Sequence, residues 1–225
     1  MSTSSIHYYC PVSFKYRLPA LVEFVKSHFN KDKIVIICNG PKQVEFLSHY
    51  FILLQMTPCR IVATMSQEDR QNAEQRFQGA INICLVSQSI VENVKLGNPT
   101  WVVEYAVPTA LSSYVKMVQN IKAPKWILFV EPNNEKAFIE RCKSAGLESK
   151  ELPVTVNKLP NIVPRLLGFL DRRYEFYMSS QFGYREMISA YVNSENEEFN
   201  AQKLNLLEAS ISFGIEHPPK LPLTK

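Results

Sequence analysis

The first 150 residues alternate short apolar runs with longer amphipathic stretches. The apolar runs are rich in Val and Ile and are hydrophobic at nearly every position, which is typical of strands covered on both faces of a parallel sheet. Parallel strands need crossover connections, and the amphipathic stretches have the length and pattern of crossover helices. The alternation therefore predicts an α/β fold in which helices cover a mostly parallel sheet.

Strands are predicted at residues 7–10, 33–38, 59–63, 82–87, 101–105 and 125–130. Helices are predicted between them, at residues 17–29, 41–54, 67–78, 110–119 and 135–145. The helix at 67–78 has the clearest start signal. Ser66 is a favourable N-cap residue, and Glu68 and Asp69 fall in the first turn, where the helix dipole favours acidic side chains.

The sequence pattern changes after Leu152. Pro153, Pro160 and Pro164 interrupt the chain, and only helical patterns follow, at residues 165–177, 183–192 and 202–213. This change predicts two parts, a sheet domain at residues 1–154 and a helical extension at residues 155–225. Three short helices that pack only on one another bury little apolar surface. The extension is therefore expected to dock on the sheet domain.

Composition restricts the possible functions only broadly. The net charge is +4; residues 1–150 hold 17 Lys and Arg against 12 Asp and Glu, and residues 151–225 hold 8 against 9. This surplus fits a weakly basic face on the first part and fits an ordinary domain equally well. No stretch approaches the length of an apolar membrane span, so none is predicted. The five cysteines are odd in number and lack C-x-x-C spacing, which predicts buried free thiols in a reducing intracellular compartment and no metal site.

Several segments of the first part resemble a known family. They are ICLVSQSIVENVKL at residues 83–96, WVVEY at 101–105, Pro108, Tyr114 and ILFV at 127–130. In this order and spacing they resemble the second RecA-like domain of DEAD-box RNA helicases. Residues 33–47 are similar to motif IV of that family, and MSQEDR at residues 65–70 is similar to its Q-x-x-R element. The resemblance implies a RecA-like three-layer α/β fold with a mostly parallel sheet.

The resemblance also implies an RNA-binding face. Its candidate residues are Asn39, Gly40, Lys42, Gln67, Arg70 and Ser87. They follow or end predicted strands, where the loops of parallel sheets gather ligands. An arginine offers a fork of donors to a phosphate, and a hydroxyl can donate one hydrogen bond. Gly40 stands where the family usually has Ser or Thr, and Gln88, Glu92 and Asn93 replace an acid, an arginine and a glycine.

The nucleotide-facing positions depart further from the family pattern. They are Lys95, Lys116, Met117, Asn120 and Ala123, and the last three stand where the family has arginine fingers. Such fingers neutralise charge on the transferred phosphoryl group and contribute about 10³–10⁵ in rate. The sequence also contains neither a G-x-x-x-x-G-K-[ST] loop nor an Asp-Glu-Ala-Asp run. No catalytic residue is therefore predicted, and ATP and Mg²⁺ are expected only if a first RecA-like domain complements this one.

The tail resembles a narrower group. The segments EFY at residues 175–177, YREMISAY at 184–191 and FG followed by PKLP at 213–222 are similar to the C-terminal extension of DEAD-box helicases that assemble the large ribosomal subunit. That resemblance implies pre-ribosomal RNA and ribosome assembly factors as partners, a nuclear or nucleolar location and no contact with membranes.

Three functions stay open from the sequence. The first is a non-catalytic, helicase-derived protein that binds RNA or a pre-ribosomal particle. The second is one half of an ATP-dependent RNA helicase that a separate or missing first RecA-like domain completes. The third is a protein-interaction module that does not touch RNA.

Overall fold

A computed structural model describes residues 5–224, and at its centre lies a seven-stranded sheet in which every strand pair is parallel. The strands are β1 (Ile6–Pro11), β2 (Ile34–Cys38), β3 (Cys59–Ile61), β4 (Ile83–Ser87), β5 (Trp101–Glu104), β6 (Lys125–Val130) and β7 (Ser149–Glu151). Their spatial order is β3-β4-β2-β5-β6-β1-β7. The predicted parallel α/β fold is confirmed. Strand β7 was not predicted, because an edge strand of three polar residues carries no apolar run.

Helices cover both faces of this sheet. They are α1 (Phe14–His28), α2 (Pro41–Leu53), α3 (Gln67–Gln78), α4 (Leu111–Asn120) and α5 (Lys136–Ser144). Crossover connections between parallel strands are right-handed. The chain moves along the sheet toward β3 through α1 and α2, and back toward β7 through α3, α4 and α5. The helices α1 and α2 therefore lie on one face of the sheet, and α3, α4 and α5 lie on the other. Every residue of β2 and β4 is consequently buried.

Three helices follow the sheet: α6 (Val163–Leu170), α7 (Tyr174–Asn193) and α8 (Leu206–Ile211). The predicted helices at 165–177 and 183–192 are wrong in their boundaries, because α7 is one helix of 20 residues. Gly183 does not end a helix. A Cβ at this position would lie 3.2 Å from the ring of Phe213 and 3.4 Å from the carbonyl oxygen of Lys42, so the glycine permits close packing on α2.

The C-terminal helices pack on the outside of the α1–α2 layer. The ring of Phe46 in α2 lies 5.5 Å from that of Phe176 in α7 and 5.0 Å from that of Phe213 after α8. Lys15 in α1 pairs with Glu208 in α8 at 2.9 Å. The apolar core is therefore continuous across residue 155, as expected for a docked extension. The division of the chain at that residue stays a prediction.

A buried ion pair also holds α7 in place. The guanidinium of Arg17 in α1 donates to the Glu135 carboxylate at 2.7 Å, and the hydroxyl of Tyr191 in α7 donates to the same carboxylate. Arg17 is 5% exposed and Glu135 is 1% exposed. Because leaving either charge unpaired in this environment would be costly, the contact fixes the position of α7 relative to the sheet.

The five cysteines are free and buried, as predicted. Burial raises the pKa of each thiol, for Cys10 to about 12. Protonated thiols are poor nucleophiles and poor metal ligands. Between Ser5 and Thr224, no helix combines the length and the apolar composition that crossing a bilayer requires.

Candidate nucleic-acid interface

The predicted RNA-binding residues lie at one edge of the sheet. Gln67 and Arg70 occupy the first turn of α3, which follows β3; Ser87 ends β4; and Asn39 and Gly40 follow β2. Because β3, β4 and β2 are neighbours and parallel, their carboxyl ends bring these residues together. We call this line of strand ends the carboxyl edge.

The first turn of α3 is the part of the edge that is most open to a ligand. The Ser66 hydroxyl accepts a hydrogen bond from the Asp69 amide at 3.1 Å, as expected for the predicted N-cap. Gln67 is exposed, and Arg70 is half-buried. Within residues 5–224 no carboxylate pairs with Arg70, and its Nε is buried without a hydrogen-bond partner. A guanidinium that no carboxylate occupies can donate to a phosphate through its terminal nitrogens.

At the ends of β4 and β5, polar side chains point inward. Ser87 is fully buried, and its hydroxyl has no partner within the described part of the chain. The Gln88 amide accepts from Thr109 Oγ1 at 3.2 Å and lies 3.5 Å from the Glu104 carboxylate. Burial raises the pKa of the Glu104 carboxyl well above its usual range. Neither Ser87 nor Glu104 offers an accessible group to a ligand in this arrangement.

The loop after β2 is occupied by contacts within the chain. The Asn39 side chain donates to Gln43 Oε1 at 2.9 Å and accepts from the Val107 amide at 2.8 Å. The Glu186 carboxylate, on α7, accepts from the backbone amides of Lys42 at 3.3 Å and Gln43 at 2.8 Å. The Lys42 ammonium is exposed and pairs with a neighbouring carboxylate on α2. Direct RNA contacts by Asn39, Gly40 and Lys42 stay predictions.

The segment after α7 covers the carboxyl edge beyond β2. Asn196 is buried, and its side chain donates to the carbonyl of Pro108 at 2.9 Å, while the Glu195 amide donates to the carbonyl of Thr109 at 2.8 Å. The ring of Phe199 lies 5.0 Å from that of Phe138 in α5. The open part of the edge is therefore the part above β3 and β4.

The predicted nucleotide-facing positions do not form a cation cluster. Met117 and Ala123 are each 3% exposed and lie in the apolar core. Asn120 and Lys95 are exposed, and Lys116 pairs with Glu92 at 3.7 Å. These residues do not fit the γ-phosphate of ATP and its Mg²⁺, because the two buried positions hold apolar side chains. Among residues 5–224, no cluster of three or more His, Cys, Asp or Glu side chains could hold a metal ion.

Two residues of this edge were missed from the sequence. Glu104 ends the apolar run WVVE, and an acid inside a strand with both faces covered is a signal of a buried carboxyl. Glu186 carried no usable signal, because its partners are 143 and 144 residues away and only the packing of α7 on α2 brings them together.

The chain is similar in sequence to known proteins. Residues 17–120 match the protein family described as helicase conserved C-terminal domain. The ATP-dependent RNA helicase DBP4 of Kluyveromyces lactis is 25% identical over 223 residues, which are 96% of this chain and 29% of that protein. The DEAD-box ATP-dependent RNA helicase 51 of Arabidopsis thaliana is 28% identical over 221 residues, which are 96% of this chain and 39% of that protein. The chain thus spans less than two fifths of either relative.

Solved structures support the same fold. Domain 2 of the DEAD-box helicase Mss116p, bound to an RNA duplex, superposes with a TM-score of 0.74 at 17% identity and covers 94% of this chain and 86% of its own. The C-terminal domain of the DEAD-box protein Dbp5 gives a TM-score of 0.59 at 14% identity and covers 68% of this chain and 91% of its own. The RecA-like fold of the predicted resemblance is confirmed.

The burial of Met117 generates a stability prediction. Met117→Arg should lower the free energy of unfolding by about 3 kcal/mol, because it places an unpaired charge in the core. Asn120→Arg, at an exposed position of the same helix, should change it by less than about 0.5 kcal/mol. Urea unfolding followed by circular dichroism measures both. Equal effects of the two substitutions would contradict the placement of α4.

Proposed function

We propose that this chain, a distant homologue of DEAD-box RNA helicases through their second RecA-like domain, binds RNA without hydrolysing ATP. The proposal rests on a contrast between two sets of positions. Gln67 and Arg70 stand at an open part of the carboxyl edge with Arg70 unpaired within residues 5–224, whereas Met117 and Ala123 lie in the core as apolar side chains.

The RNA contact would be made mainly to phosphates. A guanidinium and an exposed amide in the first turn of a helix can donate to phosphate oxygens, and the helix dipole favours an anion at this end. The acidic residues Glu68 and Asp69 lie in the same turn and weaken that field. Binding of this kind has little sequence preference, because phosphate contacts position a nucleic acid without reading its bases.

The absence of catalysis is proposed from the residue types. Phosphoryl transfer depends on cations that stabilise charge on the γ-phosphate. Lys116, Lys122 and Lys125 are the basic residues near the three substituted positions in the sequence, and lysine lacks the planar fork of arginine. Lys116 also faces Glu92, which offsets its charge.

The proposed RNA is pre-ribosomal, with ribosome assembly factors as neighbours and a nuclear or nucleolar location. This part rests on the resemblance of residues 155–225 to the extension of ribosome-assembly helicases. In the structure these residues form a helical layer in which α7 lies along α2, α8 along α1 and α6 against α7.

A protein-interaction role is a second candidate, and one observation favours it. Four of the exposed large apolar side chains lie on α2 and α7: Ile52, Tyr174, Tyr177 and Phe182, with Tyr174 75% exposed. Clustered exposed apolar residues are typical of protein interfaces. These residues lie on α2 and on α7, which packs on α2, whereas Arg70 lies on α3 on the opposite face of the sheet, so substitution of Arg70 separates the two roles.

Arg70→Glu should weaken binding of a short fluorescein-labelled single-stranded RNA by about tenfold. The slope of log affinity against log salt concentration should also become shallower, by the amount that about one phosphate contact contributes. The matched control is Arg76→Glu, an exposed residue of the last turn of the same helix. Fluorescence anisotropy at several salt concentrations measures both. RNA binding unchanged by Arg70→Glu would favour the protein-interaction role.

ATP hydrolysis should stay at background in the presence of RNA, including when a separately produced first RecA-like domain of a DEAD-box helicase is added. The reason is the loss of three arginine positions in this chain. A coupled phosphate-release assay measures the rate. Hydrolysis that appears on mixing, and disappears when Lys116 is changed to Ala, would instead support the half-helicase hypothesis.

The pre-ribosomal part predicts co-sedimentation. The tagged protein should migrate with precursor ribosomal particles in a sucrose gradient of nuclear extract, and Arg70→Glu should shift it toward the top of the gradient because a phosphate contact is lost. Wild-type protein found only in light fractions would contradict the pre-ribosomal assignment. RNA binding itself would still be tested by the anisotropy assay.

A further inference from the structure

Residues 41–44, the first turn of α2, present no unpaired backbone N–H. Helix N-termini present unpaired N–H groups and therefore attract anions. In α2, Pro41 has no N–H, the amides of Lys42 and Gln43 donate to Glu186, and the amide of Val44 donates to the carbonyl of Gly40 at 3.1 Å. The anion at this helix start is thus a carboxylate from α7.

Gly40 makes room for that carboxylate. A Cβ at residue 40 would lie 2.4 Å from Glu186 Oε1, which is closer than any side chain permits. The backbone of Gly40 is extended, with φ −171°, and any residue could adopt it. A Cβ at residue 40 would therefore displace the Glu186 carboxylate, which is the end of a flexible side chain, and the glycine is needed only while Glu186 keeps this position. As the N-cap residue of α2, Gly40 offers no side-chain oxygen of its own.

We propose that Glu186 is a built-in substitute for a bound phosphate, which closes the start of α2 and confines RNA to the part of the carboxyl edge above β3 and β4. The inference rests on the proposed RNA binding and adds a selectivity residue to it. Glu186 lies at the border between the open part of the edge and the part that the segment after α7 covers.

The surroundings of Glu186 act on its charge in two directions. Burial raises the pKa of its carboxyl, and the amides of Gln43 and Lys42 act in the opposite direction. Phe182, one turn earlier in α7, lies 5.6 Å from the Lys42 ammonium, so α7 contacts both the backbone and the side chain of this helix start. A phosphate could bind there only after Glu186 moved away.

Glu186→Ala tests the inference without RNA. Inorganic phosphate should shift the Lys42 and Gln43 amide resonances of the variant in a saturable way and leave those of the wild type unchanged. Glu175→Ala, which removes an exposed carboxylate from the same helix, is the matched control and should behave as wild type. Equal shifts in the wild type, or none in Glu186→Ala, would overturn the inference.

RNA titrations provide the second measurement. Glu186→Ala should bind the labelled RNA about fivefold more tightly than wild type, since a like charge is removed, and the salt slope should steepen by about 0.7, the value for one added phosphate on a single strand. Glu175→Ala should leave the slope unchanged. An unchanged affinity and slope in Glu186→Ala overturns the inference. If the wild type binds no RNA, the proposed function is contradicted. The role of Glu186 is then decided by the shifts of the amide resonances with inorganic phosphate.

A double-mutant cycle checks the contact itself. Gly40→Ser supplies a local cap for α2, but its side chain collides with Glu186. Its effect on the urea midpoint should therefore be more favourable in the Glu186→Ala background than in the wild type. Additive effects of the two substitutions would mean that residues 40 and 186 are not coupled, and would overturn the inference.

Discussion

The ion pair between Arg17 and Glu135 lies almost entirely out of contact with water, so each charge depends on its partner and on the hydrogen bonds around it. The pair joins α1 to the residue that precedes α5, and Tyr191 adds α7 through its hydroxyl. Arg17 also lies 4.0 Å above the ring of Phe14. Three parts of the chain that are distant in sequence therefore meet at one charged point. Together with the contacts of Phe213 on Phe46 and of Glu208 on Lys15, it holds α7 and the segments after it against the sheet domain.

That fixed position divides the carboxyl edge. On one side, Asn196 and Phe199 cover the loops after β5 and β6, and on the other, the start of α3 stays open with Arg70. At the boundary, the Glu186 carboxylate accepts hydrogen bonds from the backbone at the loop after β2, and the Glu104 carboxyl is buried at the end of β5. In parallel α/β folds, ligands bind at the carboxyl edge. In this chain only a short segment of that edge is open, and its side chains favour an anion only near α3.

The strands and helices of the sheet domain were predictable because each is specified by its own short segment of sequence. Each buried strand is a nearly continuous apolar run, and each crossover helix has its own period. Where that information was missing, the prediction failed: β7 is a short polar edge strand, and Gly183 suggested a helix boundary because close packing on α2 cannot be seen in a single segment. The site was predictable in part. The start of α3 follows from local N-cap chemistry, whereas the role of Glu186 depends on a partner 143 residues away.

The two activities of a helicase domain respond differently to the loss of side chains. Phosphate contacts with RNA add to one another, so the loss of one lowers affinity and leaves the others in place. Phosphoryl transfer requires its cations together, and groups that act as a unit lose nearly all their effect when one is removed. By the family resemblance, Met117, Asn120 and Ala123 stand at three arginine positions, whereas Gln67 and Arg70 match the Q-x-x-R element at the start of α3. Under the proposed function, this set of residues leaves a graded RNA affinity without a contribution to hydrolysis.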